Sequence, residues 1–161
     1  MILGVSLVQF TFLHVFVSVI GIASGIFILY GLLNSLRLRI LTALFFVTTV
    51  ATSLTGFLFP FHGMTPGIIL GILSMVVLII AIIALYVKKL AGGWRAAYVV
   101  SVCVAFYFNF FVLVAQAFAK VPALHTIAPS QASPGFAVAQ GALLLIFLLL
   151  TIRAVKKFHP A

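Results

Sequence analysis

The fold is decided by one stretch, Thr65–Lys89, which reads TPGIILGILSMVVLIIAIIALYVKK. Residues 67–87 carry no charged side chain, and nearly every position is apolar. An α-helix needs about 20 apolar residues to cross the hydrocarbon core of a bilayer. The Thr65-Pro66 pair is typical of a helix start, because threonine caps the first turn and proline suits the first helical position. The stretch therefore predicts a membrane-spanning helix over about residues 67–88.

Four further segments share this apolar character, and charges, prolines and glycines separate them. They cover about residues 7–32, 39–59, 96–118 and 136–153. Ser133-Pro134 repeats the helix-start pattern before the last segment. We therefore expect an all-α fold, a polytopic transmembrane bundle of five helices in a single domain over residues 1–161. The long fourth loop, 119–135, is expected to fold over the outer face.

The composition excludes whole classes of function. The chain has 161 residues, 66% of them hydrophobic, with nine Lys and Arg and no Asp or Glu. Soluble domains carry about a quarter charged residues of both signs, so an ordinary water-soluble fold is excluded. No side-chain carboxylate exists to act as general acid, nucleophile or ligand of a hard metal. Phosphate-binding loops, HExxH and the nucleophile elbow are also missing, so we expect no enzymatic activity.

The basic residues predict an orientation rather than a nucleic-acid partner. They are dispersed between apolar runs and form no basic stripe, so no nucleic acid is expected to bind. Eight of the nine lie in the first loop, the third loop or the C-terminal tail, whereas Lys120 lies in the fourth loop. Cytoplasmic loops carry the excess of Lys and Arg. The N-terminus is therefore expected outside and the C-terminus in the cytoplasm, with the first helix retained because no positive signal-peptide region precedes it.

Polar side chains concentrate in the half of the bundle that this orientation places outside. His14 is the only ionisable side chain well inside an apolar segment, and such residues are candidates for function. Asn109 and Gln116 share one helix face, and buried amides need partners. The alternative for each residue is a plain hydrogen bond between helices. The candidate ligand-binding residues are His14, Thr55, His62, Asn109, Gln116, His125 and Gln140.

Imidazole and thioether groups in the outer loops raise the question of a metal. His62 and Met64 are two residues apart, and soft ligands of this kind suit copper. His125 lies in the fourth loop, and together with His14 and His62 it would complete a site of three imidazoles. The alternative is two ordinary loops. A haem between two transmembrane histidines is disfavoured because the spans contain only one, and the sequence identifies no cofactor.

Glycines at helical spacing predict close helix packing. Gly21 and Gly25 lie four residues apart in the first segment, and Gly67 and Gly71 do so in the third. Because five helices make a thin bundle, a pore would require a homo-oligomer. These glycine pairs are the expected packing faces of such an assembly.

Three short segments carry a resemblance. They are Leu54–Pro66 (LTGFLFPFHGMTP), Val121–His125 (VPALH) and Pro134–Gly141 (PGFAVAQG). The chain resembles, over most of residues 50–157, a family of small bacterial integral membrane proteins generally described as hypothetical. The resemblance implies a multi-pass protein of the bacterial inner membrane, and it implies no activity.

Two functions compete. The first is a non-enzymatic inner-membrane protein whose polar outer half binds or passes a small neutral or anionic ligand. Coupling to a cation gradient through Asp or Glu is excluded, and nothing acidic repels an anion. The second is an accessory or assembly subunit of a larger membrane complex, for example a respiratory one. In that case partner subunits would dock on the small-residue faces, and the outer histidines would lie near haem, copper or quinone.

Overall fold

Apart from one isolated bridge between Ile2 and Val5, every regular element in the described part of the chain is helical. The computed structural model describes residue 2 and residues 4–60 and 63–160. A π-helical turn, Ile83–Val87, continues the third helix. The six α-helices are α1 (Leu7–Leu33), α2 (Arg39–Phe57), α3 (Pro66–Ile82), α4 (Trp94–Lys120), α5 (Pro122–Ile127) and α6 (Pro134–Lys157).

Five of these helices are long and apolar enough to cross a membrane, which confirms the predicted number. They are α1, α2, α3 with its π-helical turn, α4 and α6. The largest difference from the predicted bounds is at the end of α6, which continues to Lys157. Basic side chains there extend the helix beyond the apolar segment. The fourth loop contains α5, a short helix that follows the extended residue Val121 and begins at Pro122.

The two predicted helix starts differ in detail. The Thr65 hydroxyl accepts a hydrogen bond from the backbone N–H of Ile68 at 3.4 Å, and Pro66 occupies the first turn of α3. Ser133 precedes α6 in an extended conformation, but its hydroxyl accepts from the backbone N–H of Ser130 at 3.2 Å. The Ser133 side chain therefore stabilises the preceding turn instead of capping the helix.

Helix α4 occupies the centre of the bundle. It packs against α1, α3, α5 and α6, while α2 packs against α1 and α3. The Phe106 ring on α4 meets Phe45, Phe110 and Phe147 edge-on, with ring centroids 6.2, 5.1 and 5.4 Å away. Aromatic pairs prefer such edge-to-face contacts, so this cluster fixes α2, α4 and α6 against one another.

The glycines of α1 allow close approach inside the chain. A Cβ atom on Gly21 would lie 3.2 Å from Thr48 Oγ1, and one on Gly25 would overlap the Phe106 ring. Both glycines are buried, so the close helix packing predicted for them occurs against α2 and α4 of the same chain. Gly71 packs against Phe57, whereas Gly67 is exposed and has only Thr65 nearby.

The chain reverses direction between successive long helices, so the bundle has two ends. At one end α1, α3 and α6 begin and α2 and α4 finish, and we call it the His14 end. We call the opposite end the Arg37 end. There the guanidinium of Arg95 donates to the carbonyl oxygens of Val155 and Phe158, each at 2.7 Å. A cation at the last carbonyls of a helix satisfies otherwise unpaired acceptors and thereby fixes the end of α6.

Candidate ligand-binding cleft

A cleft of about 590 Å³ lies among α1, α2, α3 and α4 at the His14 end. All four helices line it with apolar side chains interrupted by polar ones. The volume is in the range of small-molecule sites, which are mostly apolar with a few well-placed polar groups. Its polar lining residues are Thr11, His14, Ser18, Thr52, Ser53, Thr65, Ser74, Asn109, Gln116 and Lys120.

The His14 imidazole is oriented by a hydrogen bond between α1 and α2. Its Nδ1 atom lies 2.7 Å from Thr55 Oγ1. The Thr55 hydroxyl has one proton, which it donates to the carbonyl oxygen of Ala51 at 2.7 Å. We infer from this that Nδ1 donates to Thr55, which makes Nε2 the acceptor in the neutral imidazole. Nε2 has no hydrogen-bond partner among the described residues, so it remains available to a ligand in the cleft.

The two hydroxyls on the α1 wall of the cleft donate their protons within their own helix. Ser18 donates to the carbonyl oxygen of His14 at 2.7 Å, and its Oγ lies 3.3 Å from Thr52 Oγ1. Thr11 donates to the carbonyl oxygen of Leu7 at 2.8 Å. Back-bonding of this kind is common for Ser and Thr in helices. The α1 wall therefore offers mainly acceptor lone pairs to a ligand.

Ser74 on α3 is different, because its buried hydroxyl has no partner. The residue is only 4% exposed, and its Oγ makes no hydrogen bond within the described part of the chain. A buried polar atom without a partner costs roughly 1–3 kcal/mol. Because Ser74 also lines the cleft, a ligand with a polar group at this depth would recover that cost.

The α4 wall adds amide groups and one cation. Asn109 donates from Nδ2 to Thr49 Oγ1 at 3.3 Å, and its Oδ1 atom has no partner among the described residues. Gln116 and Lys120 continue the same wall and are exposed. Since the chain has no acidic side chain, any formal charge on the cleft wall is positive.

The structure brings together part of the predicted set. His14, Asn109 and Gln116 line the cleft, and Thr55 lies directly behind His14. Gln140 is buried elsewhere, where its Nε2 donates to the carbonyl oxygen of Phe111 at 3.0 Å and its Oε1 has no partner in the described chain.

The remaining candidates lie in the loops. His125 is exposed on α5 and does not line the cleft, and His62 lies outside the described residues. Met64 is 65% exposed. Among residues 4–60 and 63–160, no three His, Cys, Asp or Glu side chains lie close enough together to hold a metal ion.

The sequence pattern does not mark Ser74 or Lys120 as residues of a ligand site. Ser74 is the only hydroxyl-bearing residue between Gly67 and Leu85, an isolation that could have drawn attention to it. Its lack of a partner depends on packing, so only the structure reveals it. Lys120 marked only an outer loop in the sequence, but it is the last residue of α4 and faces the mouth of the cleft.

No family model matches the chain, and neither a curated protein nor a solved structure shows significant similarity to it.

Proposed function

We propose that this chain is a non-enzymatic, multi-pass membrane protein that binds a small neutral or anionic molecule in the cleft at the His14 end. The observation that carries the proposal is the unpartnered Ser74 hydroxyl inside a mostly apolar cleft. His14 Nε2 and Asn109 Oδ1 supply further groups without a partner among the described residues. The resemblance to hypothetical bacterial membrane proteins supports a location in the bacterial inner membrane.

The distribution of charge supports an orientation with the His14 end outside. Lys120 is the one Lys or Arg at that end, whereas the other eight lie at or near the Arg37 end. The positive-inside rule then assigns the Arg37 end to the cytoplasm. In this orientation the cleft receives its ligand from the outer side of the membrane.

The chemistry of the lining defines the ligand class. Val15, Val19 and Ile22 of α1, with Val112 and Leu113 of α4, form apolar walls suited to a hydrocarbon or aromatic body. The two acceptors, His14 Nε2 and Asn109 Oδ1, and the free Ser74 hydroxyl suit a ligand with hydroxyl or carbonyl groups. Lys120 at the end of α4 tolerates a negative charge at the mouth and disfavours a cation.

The proposal is tested by photolabelling the full chain in detergent with azioctanol, a neutral alcohol whose tail carries a diazirine. Peptide mass spectrometry then locates the labelled residues. We expect labelling on the cleft-lining stretches of α1 and α4. Substitution Gly56→Leu should strongly reduce it, because Gly56 lines the cleft and an added Cβ meets only His14 Cε1, at 3.7 Å.

Two controls keep this test specific. Gly141→Leu adds the same side chain on α6, where a Cβ meets nothing within 4 Å, and should leave cleft labelling unchanged. Background labelling of the exposed face of α6, near Leu144 and Leu148, should be equal in all variants. Labelling confined to that face, or unaffected by Gly56→Leu, would overturn the proposed site.

The same preparation distinguishes the proposed ligand binding from the competing role as an accessory subunit. We expect a colourless protein whose native mass corresponds to this chain alone or to copies of it. A haem absorption band, stoichiometric copper or stable co-purification of other membrane subunits would contradict the proposal and favour the accessory role.

A further inference from the structure

A second cavity, of about 270 Å³, lies at the Arg37 end, opposite the cleft. It is formed where the 34–38 loop, the first turn of α2, the π-helical turn and the start of α4 meet. Ile28, Leu32 and Leu85 provide apolar walls, and Phe158 contributes from the segment that follows α6. The cavity shares no lining residue with the cleft, so it is a separate feature of the molecule.

Two arginines line this cavity. Arg37 and Arg39 flank the start of α2, and both are exposed. The chain contains no Asp or Glu, so no acidic side chain can neutralise them. Arg95, by contrast, is already committed to the end of α6. Planar guanidinium groups bind oxyanions through paired hydrogen bonds, which makes the Arg37–Arg39 pair suited to phosphate.

The start of α2 adds backbone donors at the same place. Leu38 is the N-cap residue, and no side chain caps the helix. The first intrahelical hydrogen bond runs from the N–H of Thr42 to the carbonyl oxygen of Leu38, at 2.8 Å. The preceding N–H groups of the first turn therefore have no partner within the helix. Such a helix start favours a negative charge.

Two buried hydroxyls on the cavity floor provide an independent indication of a ligand. Thr42 is 5% exposed and Tyr98 is 3% exposed, and both line the cavity. Thr48 and Thr55 donate to carbonyl oxygens four residues earlier, but Thr42 does not do so. Thr42 and Tyr98 are neighbours, so one of the two hydroxyls can donate a hydrogen bond to the other. At least one O–H group then remains to donate into the cavity.

The π-helical turn shapes the remaining wall. Lys88 N–H donates to the carbonyl oxygen of Ile83 at 2.9 Å, five residues back, and the widened turn carries Leu85 and Tyr86 to the cavity. Single π-helical turns are rare and frequently occur at functional sites. The apolar part of this wall suits a hydrocarbon group attached to the anion.

We propose that the cavity at the Arg37 end binds a phosphate-type oxyanion. Arg37 and Arg39 contact the phosphate oxygens from the rim, and the α2 amides and floor hydroxyls donate from below. The phosphate belongs either to the headgroup of an anionic phospholipid, with its chain along Leu85 and Tyr86, or to a soluble phosphate. This assignment is independent of the proposed function of the cleft.

The experiment measures binding by isothermal titration calorimetry on the full chain in maltoside detergent. The two probes are dihexanoyl phosphatidylglycerol and inorganic phosphate. We expect at least one to bind, and Arg37→Gln/Arg39→Gln should weaken its binding by about tenfold or more, as for the loss of one charge-assisted hydrogen bond. The matched control, Lys88→Gln/Lys89→Gln, removes the same charge from a loop outside the cavity and should retain affinity.

The two probes distinguish the sources of the phosphate. Binding of phosphatidylglycerol alone identifies a lipid headgroup, and binding of inorganic phosphate that competes with the lipid identifies a general oxyanion site. Thr42→Val/Tyr98→Phe removes both floor hydroxyls with little change in size and none in charge. It therefore tests the floor even if the arginine variant fails to fold, and it should weaken binding severalfold. No binding of either probe, equal loss in the lysine control, or unchanged binding in Thr42→Val/Tyr98→Phe would overturn the proposal.

Discussion

At the scale of single residues, His14 shows how an ionisable side chain is accommodated in an apolar helix. We infer that Thr55 accepts from Nδ1, because its own proton lies on the carbonyl oxygen of Ala51. The packing of the Phe59 ring against the imidazole, with centroids 5.2 Å apart, further restricts its orientation. Thr55 thus determines which nitrogen carries the proton, and the other nitrogen is left for the cleft.

This arrangement predicts the tautomer of His14. In ¹⁵N spectra of histidine-labelled protein, neutral His14 should carry its proton on Nδ1. Thr55→Val removes the acceptor, so the signature should shift away from that tautomer, and stability should fall by about 0.6 kcal/mol, a typical value for a hydrogen bond between membrane helices. Thr151→Val is the control, because Thr151 lies on α6, where its hydroxyl donates to the carbonyl oxygen of Phe147 and neighbours Cys103 instead of His14. A wild-type His14 protonated on Nε2 would contradict the assignment.

Gly25 predicts a strong position-specific effect of one methyl group. Gly25→Ala should lower stability by about 1–3 kcal/mol, because the new Cβ would overlap the buried Phe106 ring. Gly141→Ala adds the same methyl group to α6 where nothing lies within 4 Å, so it should be neutral or slightly stabilising. Thermal unfolding in detergent compares the two variants. Equal stability of both would show that α1 and α4 do not pack this closely.

The candidate site was only partly predictable from individual residues. His14 and Asn109 stand out in the sequence because polar side chains are rare within apolar segments. The sequence does not show which side of α6 turns towards the cleft, so it could not separate Gln140 from Asn109. In the structure the Gln140 amide bonds to the backbone of α4 at Phe111 instead.

At the scale of helices, Arg95 connects the start of α4 to the end of α6. Its two hydrogen bonds reach carbonyl oxygens that no helical N–H can satisfy. Arg95→Gln should therefore loosen residues 155–159, and their amide-exchange protection should drop by about tenfold or more. Arg153→Gln removes a charge from an exposed position on α6 and should leave exchange unchanged. Equal protection in both variants would contradict the proposed role of Arg95.

The helices themselves were largely predictable, whereas two irregular elements were not. Charges and prolines such as Lys88 and Pro66 define the ends of the spans because neither belongs inside a continuous apolar helix. The short helix Pro122–Ile127 packs against α4, and its six residues are too few to show a helical hydrophobic period in the sequence. The π-helical turn Ile83–Val87 consists of ordinary helix-compatible residues, so its extra residue leaves no mark on hydropathy.

At the scale of the whole molecule, the segregation of charge predicts the orientation in the membrane. In a Cys103→Ser background, Met64→Cys should react with a membrane-impermeant maleimide in intact cells, because Met64 is exposed near the His14 end. Lys88→Cys should react only after the membrane is permeabilised. The opposite pattern would show that the Arg37 end faces outward, and the cleft would then open to the cytoplasm.

The π-helical turn also bears on how chains of this kind can change in length. A turn closed five residues back holds one residue more than an α-helical turn, so it is equivalent to a single-residue insertion in α3. Deleting one residue there would restore a regular helix and rotate everything beyond it by about 100°. Related chains one residue shorter at 83–87 should therefore keep Ser74 in its cleft but lose the Tyr86 wall of the arginine-lined cavity. The length of this turn would distinguish chains with both cavities from chains with one.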